Sequence, residues 1–227
     1  MILKRKVVMT ADGSSSIQIE DWNEGYHSKH GAIQEAQHVF IQNGLNKIQQ
    51  MKKTVSVLEI GFGTGLNCFL TLIEAQKNNV SIHYAGIEKY PVTVEEWNAL
   101  NYLEQIKNGS AFQNEYDKIF HANWESTQLV TSSFSLLKKK QDFFDISYDT
   151  QYDLIYFDVF GFRVQPDLWS QRMFDHMYKL IRENGILVTY AAKGSVRRAL
   201  IQAGFKVERL PGPPGKREML RACKSLS

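Results

Sequence analysis

The sequence lacks the features that mark membrane proteins and disulfide-linked proteins. It has no run of about 18 apolar residues, which a membrane-spanning helix needs, and no N-terminal apolar segment long enough for a signal peptide. Its two cysteines, Cys68 and Cys223, lie far apart and outside any CxxC pair. We therefore expect a cytoplasmic protein in which both cysteines are packing residues and no disulfide forms.

Metal-ligand patterns are also absent from the sequence. Three histidines, His27, His30 and His38, lie close together near the N-terminus. They are not spaced with cysteine or aspartate as the ligands of a closed metal site would be. We expect no metal, and we expect His38 to pack or to form a hydrogen bond on a helix.

Charge is divided unevenly along the chain. Residues 191–227 hold nine Lys and Arg side chains and two acidic ones, a net charge of +7, whereas the preceding residues carry −4. A basic segment on an acidic body favours a polyanionic partner such as nucleic acid. A solvated charged surface would give the same pattern, and charge alone does not separate the two interpretations.

Hydrophobic periodicity predicts an α/β fold. Residues 1–20 indicate a hairpin, residues 31–50 a helix, and two segments flanking PGPPG an antiparallel pair of strands. Between them, strand and helix patterns alternate, which predicts a mainly parallel, Rossmann-like sheet covered on both faces, with an antiparallel C-terminal strand. The predicted strands are 55–61, 81–88, 118–122, 152–158 and 185–192, and the predicted helices are 66–77, 91–102 (opened by Pro91), 165–182 and 195–202.

The length suits one domain with an extension. We assign residues 1–50 to an N-terminal extension made of the hairpin and the first helix. Residues 51–227 then form the Rossmann-like domain. Residues 123–150 are polar and show no clear periodicity, so we interpret them as an insertion.

A glycine-rich segment, EIGFGTG, lies between the first buried strand and the following helix. Gly61, Gly63 and Gly65 would let the backbone approach a ligand without clashes from a Cβ atom. Glu88 ends the next strand, where an acid can accept hydrogen bonds from a ribose diol. The coincidence of strand, glycines, helix and acid indicates a nucleoside-containing ligand, although a glycine turn that binds nothing remains possible on sequence grounds.

The spacing of the glycines separates two classes of cofactor. Dinucleotide sites use G-x-G-x-x-G, which places a pyrophosphate at the helix N-terminus, whereas this sequence has G-x-G-x-G preceded by Glu59. An acid would repel a pyrophosphate but not the ammonium and sulfonium of S-adenosylmethionine. The segment resembles motif I of the Rossmann-like methyltransferases and favours S-adenosyl-L-methionine over a nicotinamide cofactor.

Asp158 ends the strand YDLIYFD and follows two aromatic residues. Ligands of open α/β sheets bind at the carboxyl ends of the strands, and aromatic neighbours raise the pKa of a carboxyl by limiting its solvation. Asp158 is therefore the candidate general base for methylation of an amine. The alternative is a turn aspartate ahead of the helix predicted at residue 165. The segment lacks the D/N-P-P-Y/F/W pattern of many DNA amino-methyltransferases, which argues against a DNA base as the substrate.

Six segments, spread over nearly the whole chain, carry a family resemblance: YHSKHGAIQEAQHVFI (26–41), LEIGFGTGLN (58–67), GIEKYP (86–91), YFDVF with the downstream PDLWS (156–170), AAKGSVRRAL (191–200) and GPPGKREML (212–220). In these segments the sequence resembles the methyltransferase half of the MnmC family and its stand-alone relatives, sometimes called MnmD.

This resemblance implies methylation of the amine of 5-aminomethyl-2-thiouridine at the wobble position of tRNA, giving 5-methylaminomethyl-2-thiouridine. It implies that Asp158 is the base, that Glu88 binds the ribose and that the N-terminal extension packs over the active site. The remaining cofactor residues would be Glu59, Gly61, Gly63, Gly65, Asn67 and Lys89. The residues expected to contact the substrate or the tRNA anticodon stem-loop are Tyr26, Glu35, Phe160, Lys193, Arg197, Arg198, Lys216 and Arg217.

Two departures from the family pattern limit this expectation. The family often has DAFAP where this chain has DVFGF (158–162), so the substrate contacts of that loop are open. The chain also has no room for the FAD-dependent oxidase domain of MnmC, so we expect methylation alone, with a separate oxidase supplying the aminomethyl substrate. Two other functions stay open: a small-molecule amine methyltransferase of the same fold, and a non-catalytic RNA-binding module.

Overall fold

A small antiparallel sheet opens the computed structural model, which describes residues 4–226. The hairpin predicted over residues 1–20 is confirmed for its described part, and residues 1–3 lie outside the description. Thr10, Asp12 and Ser14 form hydrogen bonds within its turn. The three strands are β1 (Arg5–Met9), β2 (Ser15–Ile19) and β3 (Glu24–Gly25).

The helix predicted over residues 31–50 follows this sheet. It begins as α1 (Ala32–Ala36), continues as a π-helical stretch (Gln37–Leu45) and ends as α2 (Asn46–Ile48). Val39 and Phe40 are buried on it, and the Phe40 ring lies 5.1 Å from the ring of Tyr156 in the sheet. The first helix therefore packs directly on the sheet.

Eight strands form the central sheet, in the order β10-β11-β9-β8-β4-β5-β7-β6. Strands β9, β8, β4, β5 and β7 are parallel neighbours, whereas β11, β10 and β6 pair antiparallel. The predicted Rossmann-like sheet with an antiparallel C-terminal strand is confirmed. The strands are β4 (Thr54–Ile60), β5 (Ser81–Glu88), β6 (Thr127–Thr131), β7 (Phe134–Lys140), β8 (Tyr152–Phe157), β9 (Ile181–Thr189), β10 (Lys206–Pro211) and β11 (Glu218–Cys223).

Helices cover both faces of this sheet and bury one apolar cluster on each face. The first cluster contains Phe40, Phe69 and Trp97, and the second contains Trp169, Phe174 and Leu200. The remaining helices are α3 (Leu66–Lys77), α4 (Val94–Asn98), α5 (Tyr102–Gln105), α6 (Gln113–His121), α7 (Gln171–Leu180) and α8 (Gly194–Gln202), with 3-10 turns at Gly109–Phe112, Phe143–Asp145 and Pro166–Trp169.

Two predicted elements are wrong. The strand expected at residues 118–122 is the end of α6, because Tyr116 and Ile119 lie three residues apart on one buried helical face. The helix expected from Pro91 starts later, after Thr93, whose hydroxyl accepts from the backbone of Glu96 while the Glu96 carboxylate accepts from Thr93. This capping box fixes the start of α4.

The insertion expected at residues 123–150 is also wrong, because this segment contains β6 and β7. Strand β7 is part of the parallel sheet and lies beside β5. Its Lys138 is buried, donates to the carbonyl oxygen of Phe120 and lies 5.0 Å from the centre of the Trp124 ring. A lysine that normally marks a surface thus lies inside the fold, and burial lowers its pKa to about 8.

Neither a helix that could span a membrane nor a metal-binding cluster occurs among residues 4–226. No helix in that range is long and apolar enough to cross a bilayer. The same residues contain no group of three or more His, Cys, Asp or Glu side chains arranged to hold a metal ion.

Candidate active site

A cavity of about 340 Å³ opens where the parallel strands end. Its lining comes from the loops after β4, β5, β7 and β8 and from residues 22–27 of the N-terminal segment. Because β4 lies between β5 and β8, the carboxyl ends of three neighbouring strands meet at this cavity. This is the position at which open α/β sheets bind ligands.

The glycine loop after β4 forms one part of the lining. Gly61 has φ +90° and Gly63 has φ +50°, in the left-handed region that favours glycine. A Cβ atom on Gly61 would clash with the carbonyl oxygen of Asp158, and one on Gly63 would lie 3.0 Å from the Tyr26 ring. The loop is therefore packed tightly between β8 and the N-terminal segment, and at position 61 only glycine fits.

Glu88 connects the glycine loop to the end of β5. Its two carboxylate oxygens accept hydrogen bonds from the backbone N–H groups of Gly63 (3.0 Å) and Tyr90 (2.8 Å). Burial raises the pKa of this carboxyl, and the two backbone donors and Arg5 oppose that rise. Each oxygen keeps a lone pair for a further donor, which suits hydroxyl groups of a ligand.

Asp158 lies in the cavity immediately after β8. Its Oδ2 accepts a hydrogen bond of 2.9 Å from the amide of Asn67. Burial and, to a smaller extent, the charge of Glu35 raise the pKa of this carboxyl, whereas Asn67 and Lys216 lower it, and the resulting pKa is about 7. Asp158 therefore exchanges a proton near neutral pH, as a general base requires.

Asn67 donates to two carboxylates at once. Its Nδ2 also gives a 2.8 Å hydrogen bond to Oε1 of Glu59, whose Oε2 accepts from the hydroxyl of Tyr84 (2.8 Å). Glu59 is only 1% exposed and is not among the residues that line the cavity. The Oδ1 atom of Asn67 is buried and has no hydrogen-bond partner among the described residues, so a cavity-lining side chain holds a free acceptor.

Aromatic rings form another part of the lining. Phe160 packs edge-on against Trp22 (5.5 Å between centres) and Tyr26 (4.9 Å). The guanidinium of Arg163, in the same loop as Phe160, donates to the carbonyl oxygen of Trp22 and to the carboxylate of Glu24. The loop after β8 and the N-terminal segment are thus joined along the cavity.

A charged cluster lies next to Asp158 but does not line the cavity. Lys216, from the turn between β10 and β11, forms an ion pair with Glu35 of α1 and lies 3.8 Å above the ring of Tyr190. The Tyr190 hydroxyl donates to the carbonyl oxygen of Val159. Glu35 and Lys216 therefore act on Asp158 through their opposite charges.

The other predicted tRNA-binding residues lie outside the cavity lining. Lys193, Arg198 and Arg217 are exposed, and Arg197 is half-buried. The Lys193 ammonium lies 4.8 Å from the ring centre of Phe162, in the loop that carries Phe160. The start of α8 is therefore beside the loop that lines the cavity.

The sequence analysis missed the lining residues Asp142, Phe143 and Phe144. They follow β7, inside the segment interpreted as an insertion. Asp142 pairs with Lys89 at 2.7 Å, and this hydrogen bond holds the pKa of Asp142 below its usual range. Recognition of a strand at residues 134–140 would have placed these three residues at the same edge of the sheet as Glu88.

Comparisons with known proteins agree with this geometry. Residues 143–225 match the family model of an S-adenosyl-L-methionine-dependent methyltransferase. The protein named tRNA 5-methylaminomethyl-2-thiouridine biosynthesis bifunctional protein MnmC is 31% identical over 209 residues in Burkholderia thailandensis and 29% over 214 residues in Hydrogenovibrio crunogenus. These alignments cover 86% and 87% of this chain but only 31% of each relative. The chain thus spans about a third of their length.

Solved structures show the same fold. The crystal structure of MNMC2 from Aquifex aeolicus has a TM-score of 0.79 at 23% identity and covers 100% of this chain and 73% of its own. The sugar N-methyltransferase KedS8 from Streptoalloteichus has a TM-score of 0.50 at 13% identity, with 85% and 87% covered.

Strand order, glycine loop and carboxyl-edge cavity are those of a Rossmann-like methyltransferase, and the family model and the relatives agree with them. Residues 143–225 match an S-adenosyl-L-methionine-dependent methyltransferase family, and the chain has the fold of these enzymes and is similar to a part of the MnmC proteins.

Proposed function

We propose that this enzyme methylates the amine of 5-aminomethyl-2-thiouridine at the wobble position of tRNA, giving 5-methylaminomethyl-2-thiouridine. The observation that carries the proposal is Asp158, a cavity carboxyl with a pKa of about 7 beside the glycine loop. An alkyl ammonium needs such a group, because it has no free lone pair at neutral pH. The names of the MnmC relatives support the tRNA substrate.

The cavity has the groups that S-adenosyl-L-methionine needs. The unpartnered Oδ1 of Asn67 suits the cofactor's ammonium, and the glycine loop allows close approach of its methionine part. Glu88 would accept from the ribose hydroxyls. When bound, the cofactor supplies an electrophilic methyl group on a sulfonium.

The adenine ring would lie beside the segment after β7. Asp142 can accept a hydrogen bond from an exocyclic amine, and Phe143 and Phe144 offer apolar surface for the ring. Lys89 would act indirectly, because its ammonium already pairs with Asp142.

Asp158 would attract the substrate ammonium, orient it and accept its proton, which leaves the nitrogen lone pair free to attack. Glu35 adds negative charge near this point, and Lys216 restrains that charge by pairing with Glu35. The rings of Trp22, Tyr26 and Phe160 would exclude water from the reacting amine and contact the uridine.

The tRNA would approach over the N-terminal extension and the start of α8. Lys193, Arg197, Arg198 and Arg217 would contact the phosphates of the anticodon stem-loop. Lys216 would contribute to the site through its ion pair with Glu35 rather than through phosphate contact. A separate oxidase would produce the aminomethyl substrate from the carboxymethylated form.

The test is methyl transfer from labelled S-adenosyl-L-methionine to tRNA that carries 5-aminomethyl-2-thiouridine, followed by nucleoside analysis. We expect label in 5-methylaminomethyl-2-thiouridine. Matched tRNA without the aminomethyl group should take up no label. Label on a free amine but not on this tRNA would favour a small-molecule methyltransferase, and tRNA binding without transfer would favour a non-catalytic module.

A further inference from the structure

Glu59 lies where a direct cofactor contact was expected, yet the structure gives it different partners. Both of its carboxylate oxygens accept hydrogen bonds from within the protein, one from Asn67 and one from Tyr84. It is 1% exposed and lies outside the cavity lining. A buried carboxyl with two internal donors can act on the site only through the groups it holds.

The group that it holds is the amide of Asn67. One N–H of this amide points to Glu59 and the other to Asp158, at 2.8 and 2.9 Å. An amide that turned about its bond to Cβ would offer its oxygen to both carboxyls and lose both hydrogen bonds. The Glu59 carboxyl therefore selects the orientation in which Asn67 donates to Asp158.

Tyr84 completes the chain of hydrogen bonds from β5. Its side chain is 2% exposed and does not line the cavity. Its hydroxyl holds Oε2 of Glu59, which leaves Oε1 facing Asn67. Hydrogen bonds between Tyr84, Glu59, Asn67 and Asp158 thus link the interior of the sheet to the cavity. None of these four side chains is exposed to solvent.

We propose that Glu59 is a positioning residue: with Tyr84 it fixes the amide of Asn67 and, through it, the carboxylate of Asp158. The inference rests on the proposed role of Asp158 as the base. It predicts that substitutions deep in the sheet shift the titration of Asp158 at the cavity.

Other charged groups also act on Asp158 and have to stay constant in a test. Glu35 faces it from α1 and Lys216 faces it from the turn between β10 and β11, and they act in opposite directions. Tyr190, which follows β9, lies within reach of the Asp158 charge. None of these three groups contacts Tyr84, so a Tyr84→Phe variant leaves them in place.

The experiment compares Tyr84→Phe with Tyr156→Phe in the full chain. Each variant removes one buried hydroxyl, but the Tyr156 hydroxyl contacts Thr71 rather than Glu59. The titration of Asp158 is followed by the NMR signal of its labelled side-chain carbon, assigned with Asp158→Asn. The pH dependence of methyl transfer and the calorimetric affinity for S-adenosyl-L-methionine are measured on the same samples.

We expect Tyr84→Phe to move the Asp158 titration and the acid limb of methyl transfer to higher pH by about half a pH unit or more. The reason is that a less firmly held Asn67 donates less to the Asp158 anion. Tyr156→Phe should move neither and should keep cofactor affinity within about twofold. Equal titrations of Asp158 in the two variants would overturn the proposal.

A second pair of variants covers the case in which Tyr84→Phe does not fold. Both Glu59→Leu and Glu59→Gln remove the carboxyl that interacts with the charge of Asp158, so the two variants are compared with each other. The Asp158 titration should lie at higher pH in Glu59→Leu than in Glu59→Gln, because an amide oxygen can still accept from Asn67. A Glu59→Leu variant that loses cofactor affinity with an unchanged Asp158 titration would make Glu59 a binding residue instead. The NMR titration needs no methyl acceptor, so absence of methyl transfer would count against the proposed function alone.

Discussion

The side of the cavity proposed to bind the cofactor (the cofactor side) and the side proposed to bind the substrate (the substrate side) differ in what forms them. The cofactor side is mostly backbone: Gly61 and Gly63 lie in left-handed conformations, and Glu88 accepts from two backbone N–H groups. The substrate side is mostly side chains, with Phe160 packed edge-on between Trp22 and Tyr26. Backbone geometry allows few substitutions, whereas side-chain packing can be changed one group at a time.

The two carboxyls that face the cavity show the same contrast. Burial raises the pKa of both Glu88 and Asp158. Glu88 has backbone donors from Tyr90, Gly63 and Lys89 and the nearby Arg5 to stabilise its anion, whereas Asp158 has one amide donor and the opposing charge of Glu35. The first arrangement suits a fixed acceptor, and the second suits a group that takes up and releases a proton.

The largest expected effect is a loss of cofactor affinity through a change on the cofactor side of the cavity. Gly61→Ala places a Cβ atom against the carbonyl oxygen of Asp158 at a φ of +90°. We expect the affinity for S-adenosyl-L-methionine, measured by calorimetry, to fall by roughly 100-fold or more. Gly194→Ala is the matched control, because its Cβ would meet only the end of the Arg198 side chain. Affinity within twofold of wild type in Gly61→Ala would show that the loop does not hold the cofactor.

The second effect concerns the free energy of unfolding and tests the pKa of Asp158, one of the two cavity carboxyls. The pKa of Asp158 is about 7 in the folded chain, whereas an unfolded aspartate has a pKa of about 3.9. Between these values the folded chain keeps a proton that the unfolded chain has lost, so the free energy of unfolding falls as pH rises. Asp158→Asn removes this penalty and should stabilise the fold by roughly 1–3 kcal/mol at about pH 8.

Thermal and denaturant unfolding of wild type and Asp158→Asn check this expectation. The difference between the two proteins should shrink as the pH falls toward about 4, where both the folded and the unfolded aspartate become protonated. An Asp158→Asn variant that is less stable than wild type at about pH 8 would show that the carboxylate stabilises the fold there.

The third effect tests the surface beside the substrate side. A combined Arg197→Ala, Arg198→Ala and Arg217→Ala variant should bind tRNA roughly tenfold more weakly at low salt and show a smaller salt dependence. Its affinity for S-adenosyl-L-methionine should not change. The matched control removes the exposed Lys53, Lys77 and Lys107, which lie outside the basic C-terminal segment. Equal losses of tRNA affinity in both variants would mean that tRNA binding depends only on the net charge of the protein.

The smallest effect sharpens the substrate side. Phe160→Leu keeps an apolar side chain but removes the edge-on ring contacts with Trp22 and Tyr26. We expect the KM for tRNA to rise about threefold, with cofactor affinity unchanged. Steady-state kinetics at saturating cofactor measures this. A change in cofactor affinity without a change in KM would place Phe160 on the cofactor side.

Sequence patterns predicted that the glycine loop and Glu88 meet at the carboxyl edge of the sheet, because the signals for these elements are local. Strand β4, the glycines and α3 are consecutive in the chain, and Glu88 ends the next strand. Asp158 was also predictable as the end of an apolar strand. The wrong assignment of residues 123–150 has a physical cause: β7 ends in three lysines, and only its neighbours Phe120 and Trp124 show that Lys138 is inside.

The hydrogen bonds between the motifs could not be predicted in this way. Asn67 and Asp158 are separated by 91 residues, and Glu59 and Tyr84 by 25. Nothing in either local pattern fixes which side of the strand end a carboxylate faces. That depends on how β4, β5 and β8 align in the sheet, so Glu59 was expected at the cofactor and is found behind Asn67.

The rate of methyl transfer in single turnovers, measured across pH for wild type and Asp158→Asn, tests the central claim most directly. The wild-type rate should rise with pH through about 7, where Asp158 loses its proton. Asp158→Asn should be slower by roughly 100-fold or more at neutral pH. Its rate should recover in part at about pH 10, where the alkyl amine loses its proton to solvent. A near-normal rate of Asp158→Asn at neutral pH would contradict the account.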